Sequence, residues 1–210
     1  MMGKFITFEG GEGSGKTTQI QLLSQVLEKQ GNKIFLTKEP GGDKSICREI
    51  RALLLDTAHK DILDDRAELF LFLADRAQHI SKTIIPALEA GYIVLCDRFA
   101  ASTFAYQFYA RQAADFDFIK SNNDFASRSL IPDLTIYIDI DPEIGIRRKE
   151  KQTLSRIDAE SMEFHKKVQK GFREFFEKSK WPVETIDGSA PIENIHKEIL
   201  KRMENFLSTF

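Results

Sequence analysis

Five short apolar, β-prone runs punctuate this chain, at 5–8, 33–37, 93–96, 134–139 and 183–186. Between them, apolar positions recur at helical spacing over 16–29, 45–55, 65–89, 100–110, 115–130, 142–151, 159–178 and 191–207. Several of these helices carry their own boundary signals. Asp141, Pro142 and Glu143 read as N-cap, first-turn proline and first-turn acid. Gly31 and Gly91 follow helices, where a C-capping glycine belongs. Strands separated by helical crossovers predict an α/β architecture, a mostly parallel sheet covered on both faces. The sequence has no internal repeat, low-complexity tract or linker, so residues 1–210 are expected to form a single domain.

Composition narrows the class. Thirty basic and 32 acidic side chains are interspersed and leave a net charge of −2, which gives no footing for a nucleic-acid or membrane surface. The richest basic stretch, 147–151, is short and interrupted by Glu150. No apolar run is long enough to span a bilayer, and the first strand begins almost at the N-terminus without a signal peptide. The expectation is a cytoplasmic protein. Cys47 and Cys96 lack zinc-site spacing, and Cys96 lies in an apolar run, so a buried reduced thiol is expected there.

The chemistry enters at Gly10-Gly11-Glu12-Gly13-Ser14-Gly15-Lys16-Thr17, which fits G-x-x-x-x-G-K-[ST] between the first strand and the first helix. Its glycines let successive N–H groups turn inward toward phosphate oxygens, at a helix N-terminus that adds partial positive charge. Lys16 is expected on the β- and γ-phosphates and the Thr17 hydroxyl on Mg²⁺, with Thr18 completing an ATP site. Parallel sheets bind ligands beyond the carboxyl ends of their strands. There the sequence places Lys38-Glu39-Pro40-Gly41-Gly42, Asp97-Arg98-Phe99 and Asp139-Ile140-Asp141. Asp97 suits a water-mediated Mg²⁺ contact, and Arg98 a bidentate grip on phosphate. Phe72, Asp75, Arg76 and His79 fall on one helical stripe, which suits a flat heterocycle that is stacked by the ring and bonded at its edge by the guanidinium. A core phenylalanine beside a surface arginine is the plainer alternative.

Asp97-Arg98-Phe99-Ala100-Ala101-Ser102-Thr103-Phe104-Ala105-Tyr106-Gln107 adds specificity. With the phosphate loop, Glu39-Pro40-Gly41-Gly42, Arg51-Ala52-Leu53-Leu54-Leu55, the stripe at 72–76 and Pro132-Asp133-Leu134, it resembles bacterial thymidylate kinases of the P-loop nucleoside monophosphate kinase superfamily. The resemblance spans nearly the whole chain. It implies a P-loop NTP hydrolase-like three-layer α/β/α fold with a five-stranded parallel sheet and a small lid at about 145–158. It implies an ATP:dTMP phosphotransferase that makes dTDP and ADP with Mg²⁺ on the way to dTTP, working as a homodimer. By the same resemblance the dTMP site comprises Glu12, Glu39, Phe72, Arg76, Arg98, Ser102, Thr103, Tyr106 and Gln107. Phe72 would stack on thymine, Arg76 bond its carbonyl edge and Tyr106 crowd the sugar 2′ position. Arg98 would hold the acceptor phosphate, and Glu12 would lie near the 3′-hydroxyl. Thr17, Glu39 and Asp97 would organise Mg²⁺, while Arg51 is left without a role.

Phosphoryl transfer needs positive charge beside the moving group. Some family members carry an arginine inside the phosphate loop, but Gly13 stands there in this chain. Members of the other type use lid arginines. Arg147, Arg148 and Arg156 flank a polar stretch here, so Arg147 and above all Arg156 are expected to join Lys16, Arg98 and Asp97 as catalytic residues. Two rival readings stay open on sequence alone: a P-loop kinase for another small acceptor, and a nucleotide-dependent switch.

Overall fold

The computed structural model describes residues 3–42, 46–149 and 153–208. Its strands are β1 (Lys4–Glu9), β2 (Ile34–Lys38), β3 (Ile93–Asp97), β4 (Leu134–Asp139) and β5 (Val183–Asp187). They form one parallel sheet in the order β2-β3-β1-β4-β5. β1 is central, pairing Ile6 with Leu95 of β3 on one side and with Leu134 of β4 on the other. The chain leaves β1 toward one edge, returns beside it as β3, then crosses to the far side as β4. The carboxyl end of β1 is therefore the switch point at which such sheets open a crevice.

The alternation of β1 sorts its side chains into two layers. Ile6 and Phe8 pack with Leu95, Ile136 and Ile138 against helices α1 (Lys16–Lys29) and α9 (Ile192–Leu207) through Leu23, Ile199 and Met203. Phe5 faces the other way, with Val94 and Cys96, onto Ile80, Ile84 and Phe99. Thr7 and Glu9 share its parity; Thr7 meets Thr135 hydroxyl to hydroxyl at 3.0 Å, and Glu9 is buried at the strand end. Cys47 and Cys96 are both buried free thiols.

The remaining helices are α2 (Ile46–Leu55), α3 (Asp65–His79), α4 (Ile85–Glu89), α5 (Ala100–Thr103), α6 (Phe116–Ala126), α7 (Pro142–Lys149) and α8 (Met162–Lys178). The helix expected over 65–89 is continuous but widens into a π turn at Ile80–Ile84 just before Pro86, whose missing N–H breaks the regular ladder. A second π turn, Phe104–Ala110, follows α5 and packs on α8 at Gly171, where a Cβ would fall 2.7 Å from that of Tyr109. α6 stops short of the expected residue 130 because Arg128 and Ser129 both take positive φ. Asp141 Oδ1 accepts from the Glu143 N–H at 2.7 Å, and Gly31 and Gly91 take φ of 88° and 80° at their helix ends. Among the described residues no helix is long and apolar enough to cross a membrane.

Candidate active site

The phosphate loop wraps the end of β1. Gly10, Gly13 and Gly15 all have positive φ, and Gly15 starts α1 with no side-chain cap, leaving the helix N–H groups free to meet an anion. Lys16 folds back over the loop, donating to the Gly10 carbonyl at 3.0 Å, the Gly11 carbonyl at 2.9 Å and Ser14 Oγ at 3.1 Å. Burial, with the nearby Arg98 charge, lowers its pKa to about 8. Thr17 Oγ1 donates to Asp97 Oδ2 at 2.6 Å across the end of β3. Two oxygens so placed, both lining the same cleft, suit Mg²⁺, which keeps several waters and takes few protein ligands beside substrate phosphates.

Arg98 turns the corner after β3 with φ 71°, a costly conformation for an arginine that aims its side chain back across the loop. It donates to the Gly10 carbonyl at 2.7 Å, Ser102 Oγ at 3.3 Å and Glu12 Oε1 at 2.6 Å, and lies 5.1 Å from the Tyr106 ring centre. Glu12 collects three donors: Arg98, the Tyr106 hydroxyl at 3.0 Å and Lys149 Nζ at 3.1 Å. Burial works against the charge on Glu12, but Arg98, Lys16 and Lys149 outweigh it and hold the carboxyl well below its usual range. Underneath, Glu9 accepts from the Phe99 N–H at 2.8 Å and the Ser102 hydroxyl at 2.6 Å. Burial raises its pKa to about 7 against the pull of Ser102 and Arg98.

Two cavities meet here. The larger, about 1200 Å³, runs along the phosphate loop from Thr37 past Asp97 to Arg148 and the 189–192 loop after β5. The smaller, about 270 Å³, gathers Glu12, Glu39, Phe72, Arg76, Arg98, Ser102, Thr103, Tyr106 and Gln107, the complete set expected for the acceptor. Glu12, Glu39, Arg51, Arg98 and Lys149 line both. Arg51, whose side chain donates to the Pro40 carbonyl at 2.7 Å, thus acquires a place at the junction that sequence reading did not assign.

Glu39 as a metal ligand, and Arg156 and Arg147 as catalytic cations, are not placed where those expected roles would put them. Glu39 is buried with one oxygen bonded to Arg76 Nε at 2.9 Å and the other 3.0 Å from His79 Nδ1, so its carboxylate is engaged away from the Thr17–Asp97 pair. Arg156 is buried, with Nε on the Leu54 carbonyl at 3.0 Å and Nη2 on Glu68, and lines neither cavity. Arg147 is exposed on α7 and lines neither. Helical phase is the reason: α7 meets the phosphate loop through Gly145, and the residue one turn on along that face is Lys149. Lys149 bridges Glu12 and Asp158, while Arg148 lines the larger cavity and donates to the Gly188 carbonyl at 3.0 Å. Residues 150–152 of the expected lid lie outside the described residues.

Sequence reading also passed over Glu68, buried on α3, where it accepts from Gln107 Nε2 at 2.8 Å as well as from Arg156 and Arg111. Its signal was an acid on an apolar stripe four residues before Phe72. Glu9 was legible by the rule applied to Asp97, a charge terminating a buried strand.

Comparison with known proteins identifies the relatives of this chain. The family model described as thymidylate kinase matches residues 8–199. Three curated relatives carry that same name. One from Desulfovibrio desulfuricans is 44% identical over 97% of this chain and 96% of its own. One from a Geobacillus strain is 43% identical over 93% of each, and one from Bacillus licheniformis 43% identical over 99% of this chain and 96% of its own.

Proposed function

The chain belongs to the thymidylate kinase family, and from that premise we propose that it transfers the γ-phosphoryl group of ATP to dTMP, giving ADP and dTDP, as one catalytic unit. The observation that carries the proposal is the junction: a phosphate-loop cleft and a heterocycle-sized pocket share Arg51, Arg98 and Lys149, so donor and acceptor phosphates converge on one cationic point.

In this reading Lys16 and the loop N–H groups hold the β- and γ-phosphates, and the nucleoside of ATP runs toward Arg148 and the 189–192 loop. Phe72 stacks on the acceptor base while Arg76 donates to its carbonyl edge. Tyr106, fixed by its hydroxyl on Glu12, crowds the sugar 2′ position. The acceptor phosphate is already anionic, so direct in-line attack needs no strong general base, and catalysis comes from positioning and charge neutralisation. Lys149 and Arg51, with Arg98, supply the charge that Gly13 cannot. Thr17 and Asp97 would hold Mg²⁺, which when bound neutralises phosphate charge.

A homodimer is supported by apolar rings on the outer face of α3 and α6: Phe70 and Phe118 are exposed and packed edge to face at 6.3 Å, and Phe125 is 86% exposed. We place the protein in the cytoplasm, where its nucleotide substrates are.

The test is ADP release from Mg²⁺-ATP with dTMP, dUMP, UMP, AMP, GMP or CMP and with no acceptor. Strong stimulation by dTMP, weaker by dUMP and little by the ribonucleotides is expected. A different preferred monophosphate would overturn the base assignment, and ATP binding without stimulation by any acceptor would favour a switch.

A further inference from the structure

His79 is fully buried on the stripe that carries Phe72 and Arg76, yet it lines neither cavity. Both its ring nitrogens are engaged: Nδ1 lies 3.0 Å from Glu39 Oε1, and Nε2 lies 2.6 Å from Thr37 Oγ1. Glu39 is held below the usual carboxylate range: its burial is outweighed by the Arg76 charge and the His79 hydrogen bond. An ionised carboxylate only accepts, so Nδ1 donates to Glu39, while Nε2 shares a hydrogen bond with the Thr37 hydroxyl. The other carboxylate oxygen takes Arg76 Nε, and Arg76 Nη1 goes to Thr103 Oγ1 at 2.8 Å and to Asn123. Arg76 Nη2 has no partner among the described residues, and Arg76 lines the acceptor pocket.

We infer that His79 is a positioning residue that sets acceptor-base specificity by holding Glu39 to Arg76. The inference rests on the acceptor reading above. A pocket edge made of guanidinium N–H groups pairs with a carbonyl at pyrimidine position 4 and rejects an amino group there. Glu39 also lines that pocket, and a carboxylate oxygen released from His79 would accept from such an amino group. The His79 bond keeps the edge donor-only. Gly42 supplies an independent handle, because it lies flat against the imidazole and a Cβ there would fall 2.1 Å from Nε2.

The experiment compares kcat/KM for dTMP and dCMP in wild type, His79→Leu, His79→Asn, Gly42→Ala and Thr37→Val, with thermal unfolding of each. His79→Leu is expected to lower the dTMP-to-dCMP ratio by roughly tenfold or more, through dTMP KM and gained dCMP turnover. His79→Asn, which can still donate to Glu39, should recover most of the ratio. Gly42→Ala should reproduce the loss with the histidine present. If His79→Leu does not fold, Gly42→Ala and Thr37→Val carry the test. Folded variants that lose kcat equally on both acceptors, with the ratio unchanged, would overturn the inference while leaving the acceptor reading intact. A wild type that does not prefer dTMP would overturn both.

Discussion

Lys16 illustrates how far one residue's surroundings govern function. Its ammonium is buried among loop carbonyls and repelled by Arg98, so it loses its proton near pH 8. Phosphate binds the charged form, so ATP affinity should be level below that pH and fall by up to about tenfold per unit above it. Calorimetric titration with a non-hydrolysable ATP analogue between pH 6.5 and 9.5 checks this, and a flat profile would refute it. Glu9 gives the opposite lesson, a carboxyl whose burial raises its pKa from 4.5 to about 7. A raised folded pKa means that its contribution is complete below pH 4.5 and lost as pH rises through 7, by roughly 3 kcal/mol across that window. Glu9→Gln should abolish this part of the slope, read from urea unfolding at pH 4.5, 6 and 8. The phosphate-loop residues were plain in the sequence because their spacing is itself the mechanism. Glu9 showed in the sequence only as a charge closing a buried strand, and its Phe99 and Ser102 donors come from a segment some 90 positions away.

Helix phase decided which lid-side charges reach the site. On α7, Gly145 packs on the phosphate loop so closely that a Cβ there would lie 2.2 Å from the Glu12 carbonyl oxygen. A Cβ at Gly13 would in turn fall 1.9 Å from the Gly145 carbonyl oxygen, so the loop has no room for an arginine. Gly145→Ala should therefore weaken ATP binding by the ~1–3 kcal/mol typical of overpacking, with most of the fold retained. Fluorescent-nucleotide titration would detect the loss, and an unchanged Kd would contradict the contact. Lys149→Ala should cost kcat about 10²-fold or more, as removal of a preorganised cation does. Arg156→Ala should instead lower thermal stability, by less than the about 3–5 kcal/mol of stranding a buried charge outright, because Arg111 and Gln107 still meet Glu68. The reverse pattern, a kcat loss confined to Arg156→Ala, would restore the arginine-lid reading. Sequence identified the basic run but not its phase, because composition says that a segment is charged and only packing says which side chain faces inward.

At the scale of the molecule, the alternation of strands and helices was enough to predict the parallel sheet, while the expected acceptor set came from the family resemblance and not from any local pattern. The junction itself was not legible. It is made by β1, β3, α2 and α7 converging at the switch point, a meeting that no local pattern encodes. That junction is the central claim, since direct transfer requires both nucleotides to share it. A dinucleotide with adenosine and thymidine joined 5′ to 5′ through a chain of phosphates would span both cavities. Steady-state inhibition should be competitive against ATP and against dTMP, with affinity above that of either substrate. Inhibition competitive against only one of them would mean that the two cavities are separate sites, and would contradict direct transfer across the junction.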